Sequence, residues 1–184
     1  MGNYGSQARL SRADIKYIKQ RTRFTENTIK EWFEEFRKVS PSGKLKPVKF
    51  ARMYSDFFPL GNADQFCDHV FRVFDIDHNG FVDFKEYMIS IDVIVGGSAE
   101  EKVKWAFKLY DVDGSGIIDP EETLEVVKAI LAIVSPNSKD AKTRAHKIFK
   151  TIDENADGVL TQSEFLRCCL KNNTITKLLV PVEL

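Results

Sequence analysis

A twelve-residue pattern recurs three times in this chain of 184 residues: Asp75-Ile-Asp-His-Asn-Gly80 to Glu86, Asp111-Val-Asp-Gly-Ser-Gly116 to Glu122, and Asp153-Glu-Asn-Ala-Asp-Gly158 to Glu164. Each copy places oxygen-bearing side chains at positions 1, 3 and 5, glycine at 6, an aliphatic residue at 8 and glutamate at 12. Short Asp, Asn and Ser side chains at alternating positions can turn inward together, and the seventh carbonyl adds a backbone oxygen. The glycine takes a turn that a side chain would obstruct. The long final glutamate opens the next helix and reaches back with both oxygens. Such a shell suits calcium, a hard cation that takes about six to eight oxygens at about 2.3–2.6 Å. One match could arise by chance; three at regular intervals mark a calcium-binding chain.

The expected ligands of the three loops follow directly. They are Asp75, Asp77, Asn79, the Phe81 carbonyl, Asp83 and Glu86; then Asp111, Asp113, Ser115, the Ile117 carbonyl, Asp119 and Glu122; then Asp153, Asn155, Asp157, the Val159 carbonyl, Thr161 and Glu164. The loops that begin at Asp75 and Asp111 offer four carboxylates each and the one that begins at Asp153 offers three. Charge count and rigidity together set affinity, so the last site is expected to be the weakest unless pairing with its neighbour rescues it. Magnesium is expected to compete for the same oxygens.

A fourth copy lies upstream, from Lys38 to Lys49, and it is degenerate. Gly43 and Leu45 survive at the sixth and eighth positions, but lysines hold both ends and Pro41 interrupts the loop. A cation at each end repels calcium, so this loop is not expected to bind it. Loop starts at 38, 75, 111 and 153 leave room for one entering and one exiting helix each. Apolar residues recur at helical spacing on both sides: Ile29, Trp32, Phe33 and Phe36 before the first loop, Phe66, Val70, Phe71 and Phe74 before the second. The expected architecture is therefore all-α, with four helix–loop–helix repeats paired in two lobes. Short antiparallel strands should join Lys44–Lys46 to Phe81–Asp83 and Ile117–Asp119 to Val159–Thr161. The degenerate loop keeps its glycine and Leu45 for that pairing. Gly96-Gly97-Ser98 is the expected hinge, dividing a lobe of residues 1–95 from one of 96–184. Ser11-Arg-Ala-Asp14 reads as a capping box for an extra helix ahead of the repeats, with Leu10 and Ile15 as its staple.

Charge is balanced overall, with 27 basic and 27 acidic residues, but unevenly spread. Residues 1–30 hold seven basic residues against two acidic ones, so calcium binding must reshape the electrostatics of the molecule. Cys67, Cys168 and Cys169 have no zinc spacing and make a poor disulfide framework, which reads as reduced thiols in a reducing compartment. No apolar run is long enough to span a membrane, and the polar, basic N-terminus lacks a secretory core. No nucleophile motif or phosphate loop is present, and His69, His78 and His146 lack ligand spacing, so no catalysis and no nucleic-acid partner are expected.

Met1-Gly2-Asn3-Tyr4-Gly5-Ser6 matches the acceptor pattern for N-myristoylation of Gly2. One acyl chain gives only marginal anchoring. The basic stripe of Arg12, Lys16 and Lys19 is the expected second signal toward an anionic leaflet.

These features together resemble the neuronal calcium sensor family, the group of recoverin, neurocalcin, hippocalcin and frequenin. The resemblance rests on the Gly2 acceptor, the extra helix, a degenerate first EF-hand containing Pro41-Ser42-Gly43 and three intact ones. Phe24-Thr25-Glu26, Glu31-Trp32, Tyr54 and Phe57-Phe58-Pro59 carry it further, and it covers nearly the whole chain. The departures are Ser40 where the family commonly has Cys, and a short segment Ser135 to Thr143 without the usual acidic stretch. The resemblance implies that Phe24, Trp32, Tyr54, Phe57 and Phe58 line a groove for the acyl chain or for an amphipathic helix of a kinase, cyclase, receptor or channel. It implies a cytoplasmic, reversibly membrane-associated sensor, monomeric or weakly dimeric. A calcium buffer, or a subunit held permanently on its target, is the alternative reading.

Overall fold

The computed structural model describes residues 8–55, 64–135 and 137–172, with the backbone only at Tyr54 and Ser55. Helix α1 spans Arg12–Lys19, α2 Glu26–Val39, α3 Pro47–Ser55, α4 Asp64–Phe74, α5 Phe84–Gly96 and α6 Ala99–Tyr110. Strand β1 is Ile117–Ile118, followed by α7 at Pro120–Val134, α8 at Ala141–Ile152, β2 at Leu160–Thr161 and α9 at Gln162–Lys171. Among the described residues the fold is all-helical apart from these short strands, and each loop sits between an entering and an exiting helix.

Local chemistry explains the helix starts. Ser11 accepts from the Asp14 amide at 3.1 Å while Asp14 accepts from the Ser11 amide at 3.0 Å, which closes the expected capping box of α1. Pro120 stands in the first turn of α7, where its missing N–H leaves no helical bond unmade. Helices α5, α7 and α9 all begin with a capping box built from loop residues: Asp83 with Glu86, Asp119 with Glu122, and Thr161 with Glu164.

The loops pair back to back as expected. Leu45 forms an antiparallel bridge with Val82, and β1 pairs with β2 in the register Ile117 with Thr161 and Ile118 with Leu160. Leu45, Val82, Ile118 and Leu160 are buried at these junctions. Full burial of such a side chain contributes about 1.5–3 kcal/mol, so each junction is also part of the core. Phe50, Phe66, Phe74 and Phe165 are among the largest side chains sealed within that core. The three cysteines are buried, with burial pushing Cys67 up to about 11 and Cys169 up to about 12.

The degenerate loop has a second contact. Gly43 takes a φ of 77°, and the Ala8 amide donates to the Pro41 carbonyl at 3.0 Å. A methyl group added at Gly43 would meet the Ala8 side chain at 2.8 Å. The segment entering α1 therefore lies directly on the lysine-flanked loop.

Helix α5 ends at Gly96, Gly97 caps it, and Ser98 opens α6. A side chain at Gly97 would strike the Val93 carbonyl. Arg23, between α1 and α2, reaches both sides of this junction. Its amide donates to Asp92 at 2.7 Å, and its guanidinium pairs with Asp92 on α5 and with Glu101 on α6.

Among the described residues, no helix is long and apolar enough to cross a membrane.

Candidate functional site

Each intact loop folds its acidic side chains inward around glycine. Gly80, Gly116 and Gly158 sit at φ of 85°, 86° and 86°, a region that side chains rarely tolerate. Their amides donate to the first aspartate of the loop: Gly80 to Asp75 at 2.9 Å, Gly116 to Asp111 at 3.1 Å and Gly158 to Asp153 at 3.2 Å. In the second loop the other Asp75 oxygen accepts from the Asn79 amide at 3.0 Å, whereas the other oxygens of Asp111 and Asp153 have no hydrogen-bond partner.

In loop two the carboxylates of Asp75, Asp77 and Glu86 lie within 4.8 Å of one another, and in loop three those of Asp111, Asp113 and Glu122 do the same. The final glutamate is inward in both. Glu86 accepts from the amides of Ile76 at 3.0 Å, Asp77 at 3.2 Å and Asp83 at 2.8 Å. Glu122 repeats the arrangement with Val112 at 2.8 Å, Asp113 at 3.2 Å and Asp119 at 2.9 Å. Burial raises the Glu86 carboxyl above its ordinary range, opposed by its backbone hydrogen bonds. Hydrogen bonding from Ser115 holds Asp113 below its range.

Loop four differs. Glu164 accepts from the Thr161 amide at 3.0 Å and the Thr161 hydroxyl at 2.6 Å, and this hydroxyl leads in holding its carboxyl low. Asn155 donates its side-chain amide to Asp157 at 2.8 Å. Among the described residues, the acids of this loop do not form a cluster like the other two.

The donor sets fit a divalent cation that prefers oxygen. Asp111 Oδ1 and Asp153 Oδ1 are buried without a hydrogen-bond partner. A buried carboxylate oxygen left unpaired carries a desolvation cost that a cation in the loop would offset. The carbonyls of Phe81, Ile117 and Val159 occupy the seventh positions beside the pairing junctions.

The double use of the loop's last turn escapes a reading by ligand position alone. Asp83, Asp119 and Thr161 are helix N-caps as well as expected ligands, and the position-12 glutamates are the reciprocal partners in the capping boxes. The spacing S/T/D-x-x-E is the signal that reveals it.

A cleft of about 340 Å³ opens beside α2. Trp32, Phe36, Val39, Met53 and Tyr87 supply its apolar surface, and Glu31, Glu35 and Lys38 edge it. Trp32 lies between Phe24, at 6.2 Å between ring centroids, and Tyr87, at 6.1 Å. Phe24 and Trp32 are both partly buried against the core. Phe57, Phe58 and Gly2 lie outside the described residues, as does the Tyr54 side chain. Met53 and Tyr87 are not among the expected groove residues, yet both line the cleft.

Two stretches of the chain, 41–90 and 100–170, match models of an EF-hand domain pair. Neuronal calcium sensor 1 of Lymnaea stagnalis is 40% identical over 185 residues, covering 97% of this chain and 96% of the relative. Human recoverin is 36% identical over 187 residues, covering 97% and 93%, and visinin of Gallus gallus is 32% identical over 187 residues, covering 97% of each chain.

Proposed function

The chain belongs to the neuronal calcium sensor family, and on that premise we propose that it binds three calcium ions, exposes its apolar cleft and an N-myristoyl group, and regulates a membrane-associated target. The observation that carries the reading is the pair of inward-turned acid clusters, together with the unpaired buried oxygens of Asp111 and Asp153. The degenerate loop takes no ion, because Lys38 and Lys49 stand where carboxylates are needed.

Bound calcium supplies the positive charge that draws the carboxylates of one loop into a single shell. The protein's own residues turn that into motion. Glu86, Glu122 and Glu164 each belong to the first turn of an exiting helix, so a shift of the glutamate re-aims the helix. Tyr87, next to Glu86, forms a wall of the cleft, so the second loop acts on the cleft through one helical turn. Sensor hands open and expose apolar surface when loaded, whereas buffers barely move. The lobes divide at Gly96 and Gly97. The basic stripe of α1 adds the second membrane signal that a single acyl chain requires.

Sedimentation with anionic vesicles tests the proposal on the acylated protein. Calcium should move it to the membrane and chelator should release it, and Gly2→Ala should abolish the shift. Binding that ignores calcium would make the acyl group a fixed anchor instead.

A further inference from the structure

Arg72 occupies the last turn of α4, three residues before Asp75, where the second loop begins. Its guanidinium does not face that loop. It donates to the Lys108 carbonyl at 3.1 Å, the Leu109 carbonyl at 2.9 Å and the Asp111 carbonyl at 2.7 Å. Those carbonyls form the C-terminal end of α6, and Asp111 is both the cap of α6 and the first expected ligand of the third loop. The last carbonyls of a helix lack intrahelical donors and carry its negative dipole end, so a guanidinium with several fixed donors suits them. One turn earlier, buried His69 brings Nε2 to 3.6 Å from a Glu125 oxygen on α7. Helix α4, which enters the second loop, therefore touches both helices that flank the third.

We infer that Arg72 is a positioning residue that couples the second calcium loop to the third, so that filling either one favours filling the other. The sign follows from the geometry. The Arg72 bonds are present in a structure in which both acid clusters are gathered within 4.8 Å. They therefore belong to the arrangement in which each loop is ready for its ion, and a ligand that selects this arrangement at one loop populates it at the other. A simple helix cap would behave differently, because it would stabilise α6 whatever the state of the second loop.

The inference rests on the proposed calcium binding, and a double-mutant cycle separates the two. Amide resonances of Gly80 and Gly116, each bonded to the first aspartate of its loop, report the two sites individually in a calcium titration of the full chain. Glu86→Gln, which disables the second site, should weaken the third at least about fivefold, the low end of usual site–site coupling. Arg72→Met should weaken the third by a similar factor, and adding it to Glu86→Gln should change the third site by less than about twofold. Reciprocally, Glu122→Gln should weaken the second site in the native background and not in the Arg72→Met background. Should Arg72→Met not fold, Arg72→Lys, which keeps the charge but not the fork, takes its place in the cycle. An equal loss at the third site with and without Glu86 would reduce Arg72 to a helix cap, and no loss would remove it from the site; either overturns the inference. Failure of the unmodified chain to bind calcium would instead overturn the functional proposal and this inference with it.

Discussion

Leu45 and Val82 exchange backbone hydrogen bonds in both directions, each 2.9 Å long, although Leu45 belongs to a loop with lysine at both ends. Both side chains are fully buried. The degenerate loop is thus a structural partner of the second loop, which holds Asp75 and Glu86 through the same backbone segment. Leu45→Ala should lower the stability of the calcium-free protein by about 2–5 kcal/mol, the usual range for such a truncation. It should also weaken the second site. Denaturant unfolding beside a calcium titration checks both effects, and a stability change near zero would mean that the junction is not part of the core.

Backbone strain in the fourth loop is open to a similar test. Position 4 of the loops lies in the left-handed region in all three intact copies, with φ of 55° at His78, 73° at Gly114 and 58° at Ala156. Only the third loop has glycine there. For a residue with a side chain this conformation costs roughly 1–2 kcal/mol, partly offset by the greater freedom of glycine in the unfolded chain. Ala156→Gly should therefore stabilise the loop by up to about 1 kcal/mol and strengthen its calcium affinity by up to several-fold. Site-resolved titration through the Gly158 amide would read the gain; a weaker site would contradict the strain argument.

The Arg23 clasp predicts a pH dependence. Glu101 is brought from an ordinary value of 4.5 to about 2, first by the Arg23 guanidinium and then by the Ser98 amide and hydroxyl. A carboxyl depressed in the folded state contributes stability that is present above its unfolded value and is lost as pH falls through its folded one. The melting temperature of the native chain should thus exceed that of Glu101→Gln by a constant margin at pH 5–8, narrowing between about pH 4.5 and 2. Added salt should shrink the margin, because Arg23 and Glu101 are both substantially exposed. A margin unchanged across the acid range would show that the pair contributes nothing to folding.

What the sequence made legible, and what it did not, divides by the range of the interaction. The helix–loop–helix repeats, the α1 capping box and the Leu45–Val82 and Ile118–Leu160 junctions all follow from spacings within one repeat or between adjacent ones. Arg72 and Arg23 were invisible, because their partners are backbone carbonyls and acids between 36 and 78 residues away. Nothing in a local pattern selects one arginine from its neighbours. The aromatic stripe of α2 is an intermediate case: periodicity identifies the face shared by Ile29, Trp32, Phe33 and Phe36 but not the depth of each. Phe33 and Phe36 are buried, whereas Trp32 remains partly open at the cleft.

That difference in depth leads to a prediction about the cleft. Trp32→Ala should weaken binding of an amphipathic target helix at least tenfold, since large aromatics in desolvated pockets concentrate binding energy at about 2 kcal/mol or more. Calcium stoichiometry should stay unchanged. Phe33→Ala should instead destabilise the calcium-free fold by about 3–5 kcal/mol. Peptide titration beside thermal unfolding of both variants distinguishes the roles; comparable unfolding in Trp32→Ala without a selective loss of binding would place Trp32 in the core.

Native mass spectrometry at saturating calcium counts the ions held, and so decides whether three loops bind calcium while the lysine-flanked one does not. The full chain should carry three calcium ions, and each of Glu86→Gln, Glu122→Gln and Glu164→Gln should carry two, because each removes the clamping carboxylate of one loop. A fourth ion would mean that the lysine-flanked loop binds calcium after all, and three ions retained in all of the single variants would mean that these glutamates hold none of them.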